Sequence, residues 1–265
     1  MSRIAEAFAK ARAEGRPALV AYVMAGEPDV KLDAELARAV LAEADVLEIG
    51  VPFSDPVADG PTIERAATRA LARGVRMEHA LALARELRAG SAKPILLMTY
   101  YNPVLQRGLD RFAREAREAG VDGVILPDVP LEESARPQAA LRAAGLALVQ
   151  LASPATPPDR FARLARATEG FLYVVSSFGV TGARDSLPPE SVETVRRAAE
   201  ACGAVVPFAV GFGVSRPEHV RQLHEAGAPG VVVGSAIVGR IEKGETPDAL
   251  RAFVRALRGA SIPGR

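Results

Sequence analysis

The chain has 265 residues, enough to bury a large core and to form one α/β barrel or two smaller domains. Its 33 lysines and arginines nearly balance its 32 aspartates and glutamates, and these charges are spread through helical segments, so no basic patch predicts a nucleic-acid partner. The only cysteine, Cys202, excludes an internal disulfide and a metal site built from several cysteines.

The N-terminal segment has the pattern of an amphipathic helix. Ile4, Phe8 and Ala11 are spaced as on one helix face. The segment lacks a long apolar stretch, so we expect neither a secretion signal nor a membrane span. Its arginines would suit a transit peptide, but Glu6 and Glu14 oppose that interpretation. We therefore expect a cytoplasmic protein.

Short apolar runs rich in Val, Ile and Leu recur along the chain, separated by Ala-, Leu- and Arg-rich segments of helical periodicity. This alternation predicts a single (β/α)8 TIM barrel over residues 1–265, with an N-terminal helix, an insertion after strand 2 and a short helix after strand 8. An open, doubly wound sheet uses the same alternation and is the structural alternative. The predicted strands are 18–24, 46–50, 95–101, 123–128, 147–153, 171–177, 205–213 and 230–234. The predicted helices include 29–44, 77–89, 109–119, 131–144, 189–201 and 217–226.

Glu48 is a carboxylate inside the second predicted strand. Period-two alternation places it on the same face as Val46 and Gly50, so it points into a packed space. An isolated ionised carboxylate there would cost roughly several kcal/mol. Asp55 and Asp59 follow in a loop rich in proline and glycine. Because barrel active sites form at the carboxyl ends of the strands, these acids predict an acid/base site.

The last two predicted strands end in glycine, with GFG at 211–213 and GS at 234–235. Backbone N–H groups near glycine and a helix N-terminus can bind an anion, and barrels often hold phosphate after strands seven and eight. The sixth loop carries GVTG at 179–182, which predicts a hinged lid and a further amide for the phosphate. Ordinary turns and a flexible loop are the alternatives.

The remaining residue types narrow the chemistry. None of the four lysines lies at the end of a predicted strand, so no amine is placed for a Schiff base. The three histidines fall in helical segments, away from the strand-end carboxylates, so we predict no metal site. Carboxylate acid/base chemistry on a phosphorylated small molecule remains, and the substrate must supply its own electron sink.

The segment VLEIGVPFSDPVADGPT at 46–62 and the later motifs YYNP, DVPLEES, SSFGVTG, GFGVS and GSAIV closely resemble the α subunit family of tryptophan synthase over nearly the whole chain. The resemblance implies retro-aldol cleavage of indole-3-glycerol phosphate to indole and glyceraldehyde 3-phosphate, with no cofactor in this chain. It implies that Glu48 is the general acid/base and that Asp59 binds the indole N–H. Leu126 is a further candidate for the pocket wall. The substrate-binding residues are expected to be Tyr22, Tyr173, Thr181, Gly182, Gly211, Phe212, Gly213, Gly234 and Ser235.

The resemblance also implies a partner, a pyridoxal-phosphate β subunit that receives indole through a tunnel in an α2β2 tetramer. We expect docking through two loops at the top of the barrel. Their residues are Pro52, Phe53, Asp55 and Pro56 in the first and Tyr101, Asn102 and Pro103 in the second.

Several alternatives stay open at this stage. Glu48 could belong to a structural ion pair, and Asp59 could cap the helix that follows it. A stand-alone indole-3-glycerol-phosphate lyase would use the same residues. A non-catalytic subunit that activates a partner enzyme is a further alternative, which the two carboxylates oppose. Other phosphate-binding barrels, such as sugar-phosphate epimerases, would need a strand-end lysine, cysteine or metal ligand.

Overall fold

The structure is a computed structural model and describes residues 2–175, 187, 190–211 and 213–260. Within these ranges, parallel strands form one sheet. The strands are Ala18–Met24 (β1), Val46–Gly50 (β2), Ile95–Met98 (β3), Gly123–Ile125 (β4), Ala147–Val149 (β5), Leu151–Ala152 (β6), Leu172–Val175 (β7), Phe208–Gly211 (β8) and Gly230–Val233 (β9).

The sheet closes on itself. Its strand order is β5-β4-β3-β2-β1-β9-β8-β7-β6, and only Gln150 separates the two end strands, β5 and β6, in the chain. These two segments are therefore halves of one strand, and the sheet is an eight-stranded TIM barrel. The prediction of a barrel is confirmed, and the doubly wound alternative is wrong.

Helices surround the barrel and supply the predicted extra elements. The N-terminal helix, the insertion after β2 and the short helix after β9 are all present. None of the described helices is both long and apolar enough to cross a membrane. The helices are Arg3–Ala13 (α1), Asp33–Glu43 (α2), Pro61–Ala72 (α3), Met77–Gly90 (α4), Tyr101–Arg107 (α5), Leu109–Glu118 (α6), Ala135–Ala143 (α7), Pro158–Ala167 (α8), Glu190–Cys202 (α9), Pro217–Glu225 (α10), Ser235–Glu242 (α11) and Pro247–Gly259 (α12), with a 3-10 turn at Leu131–Glu133.

Several predicted boundaries are wrong. The third predicted strand ends at Met98, because Tyr101, Asn102 and Pro103 form the first turn of α5 instead of a loop. Proline is tolerated in a first turn because its missing N–H would have no partner within the helix. The predicted strand 123–128 ends at Ile125, and the predicted helix 131–144 is divided into the 3-10 turn and α7.

The helix α1 closes the amino end of the barrel. Its predicted apolar face, Ile4, Phe8 and Ala11, is buried. These side chains join a cluster with inward-facing strand residues such as Val20, and the Phe8 ring lies 5.4 Å from the ring of Phe171. One end of the barrel is therefore filled with apolar side chains, which leaves the carboxyl ends of the strands for a ligand.

Acidic residues that precede three of the strands tie the amino ends together. Each carboxylate accepts a hydrogen bond from the first or second residue of the preceding barrel strand and pairs with an arginine. Such bonds fix the relative height of neighbouring strands. The three sets are Asp45 with Leu19 and Arg16, Asp122 with Ile95 and Arg88, and Glu169 with Leu148 and Arg142.

Candidate active site

A pocket with about 790 Å³ of empty space, partly open to solvent, lies at the carboxyl ends of the strands. This volume includes the space at the open mouth, and the carboxyl ends of the strands are where barrels place their active sites. The pocket brings together predicted residues from both ends of the chain: Tyr22, Glu48, Asp59, Tyr173, Gly211, Gly213, Gly234 and Ser235. The predicted residues Thr181, Gly182 and Phe212 lie outside the described residues.

Glu48 is the most deeply buried acid of the pocket. It sits on β2 between Tyr22 of β1 and Leu96 of β3, and its side chain is fully buried. Neither carboxylate oxygen has a hydrogen-bond partner among the described residues, so the structural ion-pair alternative finds no support there. Burial, with a smaller contribution from the charge of Asp59, raises the pKa of Glu48 to about 8. At neutral pH this carboxyl group is therefore mainly protonated and can donate a proton.

Asp59 lies in the loop between β2 and α3. Burial raises its pKa to about 6, the Tyr100 side chain lowers it, and the charge of Glu64 raises it. The residue that caps α3 is Gly60, and no side chain makes a capping hydrogen bond there. The helix-cap alternative for Asp59 is therefore wrong, and its carboxylate faces the pocket.

Tyr100 is a site residue that the sequence interpretation missed. Its hydroxyl accepts a 3.1 Å hydrogen bond from the N–H of Ala58, the residue before Asp59. The chain offered a pattern that could have found it, because Leu96, Met98 and Tyr100 alternate along one strand face. The predictions instead assigned the next residues, from Tyr101 onward, to a docking surface.

Two tyrosines form aromatic walls beside the carboxylates. Tyr22 and Tyr173 are enclosed in the barrel and line the pocket. Burial raises the pKa of both phenols well above the usual value, and the negative charges of Asp59 and Glu48 add to this, so both phenols stay neutral. Leu126, the further candidate, is buried in the outer core and is not among the residues that line the pocket.

Most of the other lining residues are apolar, and none of them was predicted. They form a surface suited to an aromatic ring between the two carboxylates and the glycine-rich end of the pocket. They are Ala58, Ile63, Met98, Leu151, Val175, Val214 and Val232, with Gly60 beside them.

The glycine-rich end of the pocket is suited to an anion. The helix α11 begins at Ser235, and no side chain within the described residues caps it at Gly234. Gly213 has φ 71°, a left-handed conformation that side chains disfavour. A helix N-terminus that lies beside glycine backbone offers N–H groups and a positive partial charge to a phosphate.

The described part of the chain contains no cluster of three or more His, Cys, Asp or Glu side chains that could hold a metal ion. Its two pocket carboxylates, Glu48 and Asp59, lie among aromatic and apolar side chains. These two carboxyl groups are the side chains of the pocket that can transfer protons.

The predicted docking residues lie beside the mouth of this pocket. The Phe53 ring stacks on the ring of Tyr100, with centroids 5.0 Å apart and planes at 27°. The backbone N–H of Tyr101 donates to both carboxylate oxygens of Asp128 at 3.0 Å. Val57, which was not predicted, leaves 71% of its surface exposed in the same loop as Phe53.

The fold and the pocket define a TIM-barrel protein with one buried and one half-buried carboxylate and a glycine-lined end suited to an anion, at the carboxyl ends of its strands. Comparison with known proteins gives the family. The model of the family described as "Tryptophan synthase alpha chain" matches residues 8–258. The chain belongs to the tryptophan synthase alpha chain family. The enzymes of this family are carbon–carbon lyases of tryptophan biosynthesis that cleave indole-3-glycerol phosphate. Their alpha chain has no cofactor of its own.

Individual relatives are similar over nearly their full length. A tryptophan synthase alpha chain from Roseiflexus sp. (strain RS-1) is 49% identical over 98% of this chain and 100% of the relative. The Arabidopsis thaliana alpha chain is 40% identical over 98% of this chain and 95% of its own. A structure of Mycobacterium tuberculosis tryptophan synthase has a TM-score of 0.91 at 36% identity, with 99% of each chain covered. A Pyrococcus furiosus tryptophan synthase a2b2 complex has a TM-score of 0.86 at 40% identity over 91% of this chain and 98% of that chain.

Proposed function

We propose that Glu48 and Asp59 carry out the cleavage of indole-3-glycerol phosphate in this chain. The observation that supports this most directly is a fully buried Glu48 carboxyl group that has no hydrogen-bond partner among the described residues and lines the pocket at the carboxyl ends of the strands. An unpaired polar group in the interior lowers the stability of the fold, and such groups are found mainly at functional sites.

Glu48 acts twice in the reaction, first as an acid and then as a base. Protonated Glu48 gives its proton to C3 of the indole ring, and the ring nitrogen becomes a cationic iminium. The Glu48 carboxylate then takes the proton of the glycerol hydroxyl next to the ring. The carbon–carbon bond breaks, its electrons return to the ring, and the hydroxyl carbon becomes the aldehyde of glyceraldehyde 3-phosphate. Glu48 ends protonated again, so the cycle balances.

Asp59 and the aromatic walls assist this proton transfer. The ionised Asp59 accepts a hydrogen bond from the indole N–H and stabilises the positive charge that develops on the nitrogen. Tyr22 and Tyr173 flank the ring. The backbone at Gly211, Gly213, Gly234 and Ser235, together with Gly182, binds the phosphate and orients the substrate, with Thr181 and Phe212 completing the site.

We also propose that the chain works in an α2β2 tetramer, in which indole passes to a pyridoxal-phosphate β subunit. Two observations support this partner: related structures are described as tryptophan synthase complexes, and the loop at 52–57 exposes Val57 beside the pocket mouth. We place the protein in the cytoplasm as one domain over residues 1–265.

The catalytic assignment is tested with Glu48→Gln, which keeps the shape of the side chain but cannot donate the same proton. We expect indole production to fall by about 10² to 10⁴-fold, while glycerol phosphate still binds. Glu86→Gln is the matched control, because Glu86 is exposed on α4. Normal turnover in Glu48→Gln would refute the assigned role.

The partner assignment is tested separately by measuring indole release with and without a β subunit. We expect a complex on a sizing column and faster release within it. Full activity alone and no complex would favour the stand-alone lyase.

A further inference from the structure

The glutamate at the end of α11 is bound to a neighbouring helix. The Glu242 carboxylate accepts hydrogen bonds from Arg65 at 3.2 and 3.3 Å and from Arg69 at 2.8 Å, and both arginines belong to α3. Arg69 also donates at 2.8 Å to the buried Glu27, in the loop after β1. Glu242 is therefore part of a charge network that joins three segments of the chain.

The end of a helix where Glu242 lies is unfavourable for an acid. The carboxyl end of a helix carries a partial negative charge, and Glu242 is the last residue of α11. The hydrogen bond from Arg65 and the charge of Arg69 lower the pKa of Glu242, so the group stays ionised. The contacts with α3, and not the preference of the helix itself, therefore account for a carboxylate at this position.

The opposite end of α11 lies at the glycine-rich end of the pocket. The helix has eight residues, so it is about 12 Å long, and its first residue, Ser235, lines the pocket. Its buried residues Ile237, Val238 and Ile241 hold it against the barrel, but apolar contacts are not directional. Because a short helix moves as a rigid rod, a shift at Glu242 also moves the N–H groups near Ser235.

We propose that Glu242 is a positioning residue for phosphate binding, whose ion pairs with α3 fix α11 so that the N–H groups at the start of the helix point at the phosphate. This role rests on the proposed function, because it requires a phosphate at the N-terminus of α11. It assigns part of the substrate affinity to a side chain that is not among those that line the pocket.

The sign of the effect separates positioning from simple electrostatics. By Coulomb's law alone, removing a negative charge from the neighbourhood of a phosphate favours binding of the phosphate. Loss of the contacts with α3 has the opposite effect, because displaced N–H groups bind the phosphate less well. Weaker phosphate binding in a variant that has lost an acid is therefore the result that only a positioning role predicts.

The test uses Glu242→Gln in the full chain, with Glu245→Gln as the matched control. The two glutamate side chains are equally exposed, at 29% and 28%, but Glu245 pairs with Arg240 of α11 itself and does not join the helix to α3. We expect Glu242→Gln to raise both the Kd of glycerol phosphate and the KM for indole-3-glycerol phosphate about fivefold, with kcat within twofold. The Kd of indole, which has no phosphate, should stay within twofold. Glu245→Gln should not weaken the binding of either ligand.

Unchanged or tighter binding of glycerol phosphate by Glu242→Gln would overturn the inference. An equal loss of affinity for indole would also overturn it, because that result would indicate a general loosening of the pocket. The proposed function is judged by other results. A wild-type chain that does not bind glycerol phosphate would remove the phosphate site itself, and full activity of Glu48→Gln would remove the catalytic assignment.

Discussion

The phenol of Tyr22 fills the space that a side chain on residue 50 would need. A Cβ built on Gly50 would lie 1.9 Å from the Tyr22 hydroxyl oxygen and 2.4 Å from the ring carbon that carries it. The two residues lie on neighbouring strands in fixed register, with Met24 opposite Gly50, so the backbones cannot move apart without breaking the barrel. The absence of a side chain at residue 50 therefore allows the Tyr22 ring to occupy its position in the pocket wall.

Gly50→Ala should displace the Tyr22 ring into the pocket and raise KM for indole-3-glycerol phosphate at least about tenfold, which corresponds to roughly 1.4 kcal/mol of lost binding. Steady-state indole release measures this. The matched control is Gly90→Ala at the end of α4, where a Cβ meets nothing within 4 Å. A smaller residue at position 22, as in Gly50→Ala with Tyr22→Leu, should recover part of the loss. Equal kinetics in the two alanine variants would show that the contact does not shape the pocket.

The two carboxylates predict a bell-shaped pH dependence of kcat/KM. The proposed mechanism needs ionised Asp59 and protonated Glu48, whose pKa values are about 6 and about 8. Activity should therefore rise through about pH 6 and fall through about pH 8. Asp59→Asn should remove the acid limb and leave the alkaline limb. A profile that is flat between pH 5 and 9 would contradict these protonation states.

The same buried acid predicts a dependence of stability on pH. Folding raises the pKa of Glu48 from 4.5 to about 8, so between these values the folded chain holds a proton that the unfolded chain releases. This contribution to stability is complete below pH 4.5 and is lost as the pH rises through about 8. Glu48→Gln lacks this titration. Between pH 5 and 9, the unfolding free energy of the wild type should therefore fall by up to about 4 kcal/mol relative to that of Glu48→Gln. Denaturant unfolding at several pH values measures the difference, and parallel pH curves for the two proteins would disprove the titration.

Ion pairs at the amino end of the barrel should stabilise the fold without affecting catalysis. Asp122 pairs with Arg88 at 2.5 Å and with Arg3 at 2.8 Å, and it accepts the N–H of Ile95 at 2.9 Å. Asp122→Ala leaves the partly buried Arg88 without this carboxylate and should cost about 3 kcal/mol of unfolding free energy. Removing the exposed Glu86 from its pair with Arg38 should cost less than about 1 kcal/mol. The kcat of folded Asp122→Ala should match the wild type, and a large drop in kcat would mean that this end of the barrel reaches the site.

Local patterns in the sequence were sufficient to identify the inward-facing acid. The alternation of Val46, Glu48 and Gly50 is a property of any strand, so the inward direction of Glu48 follows from three residues. The end of β3 was missed because Thr99 and Tyr100 continue a strand-like composition, while Pro103 fits the first turn of a helix as well as a loop. The same alternation could have identified Tyr100, but its bond from the N–H of Ala58 joins two segments that only the fold brings together.

Other parts of the site could not be predicted from local patterns. Ile63 and Val214 come from α3 and from the loop after β8, and only their meeting across the pocket gives them a role. The closure of the barrel is a similar case, because a doubly wound sheet has the same order of strands and helices in the chain. What distinguishes the two is the pairing of β6 with β7 and of β4 with β5 on either side of Gln150.

The contact between Phe8 and Phe171 joins a helix made early in synthesis to the residue that precedes β7, which is made much later. More than half of the chain lies between these rings, and Ile4 and Phe8 have no complete hydrophobic environment until β7 exists. During translation the apolar face of α1 therefore stays accessible for most of the time that the ribosome needs to make the barrel. Apolar surface exposed in this way is what chaperones bind and what leads unfinished chains to aggregate, independently of how stable the finished barrel is.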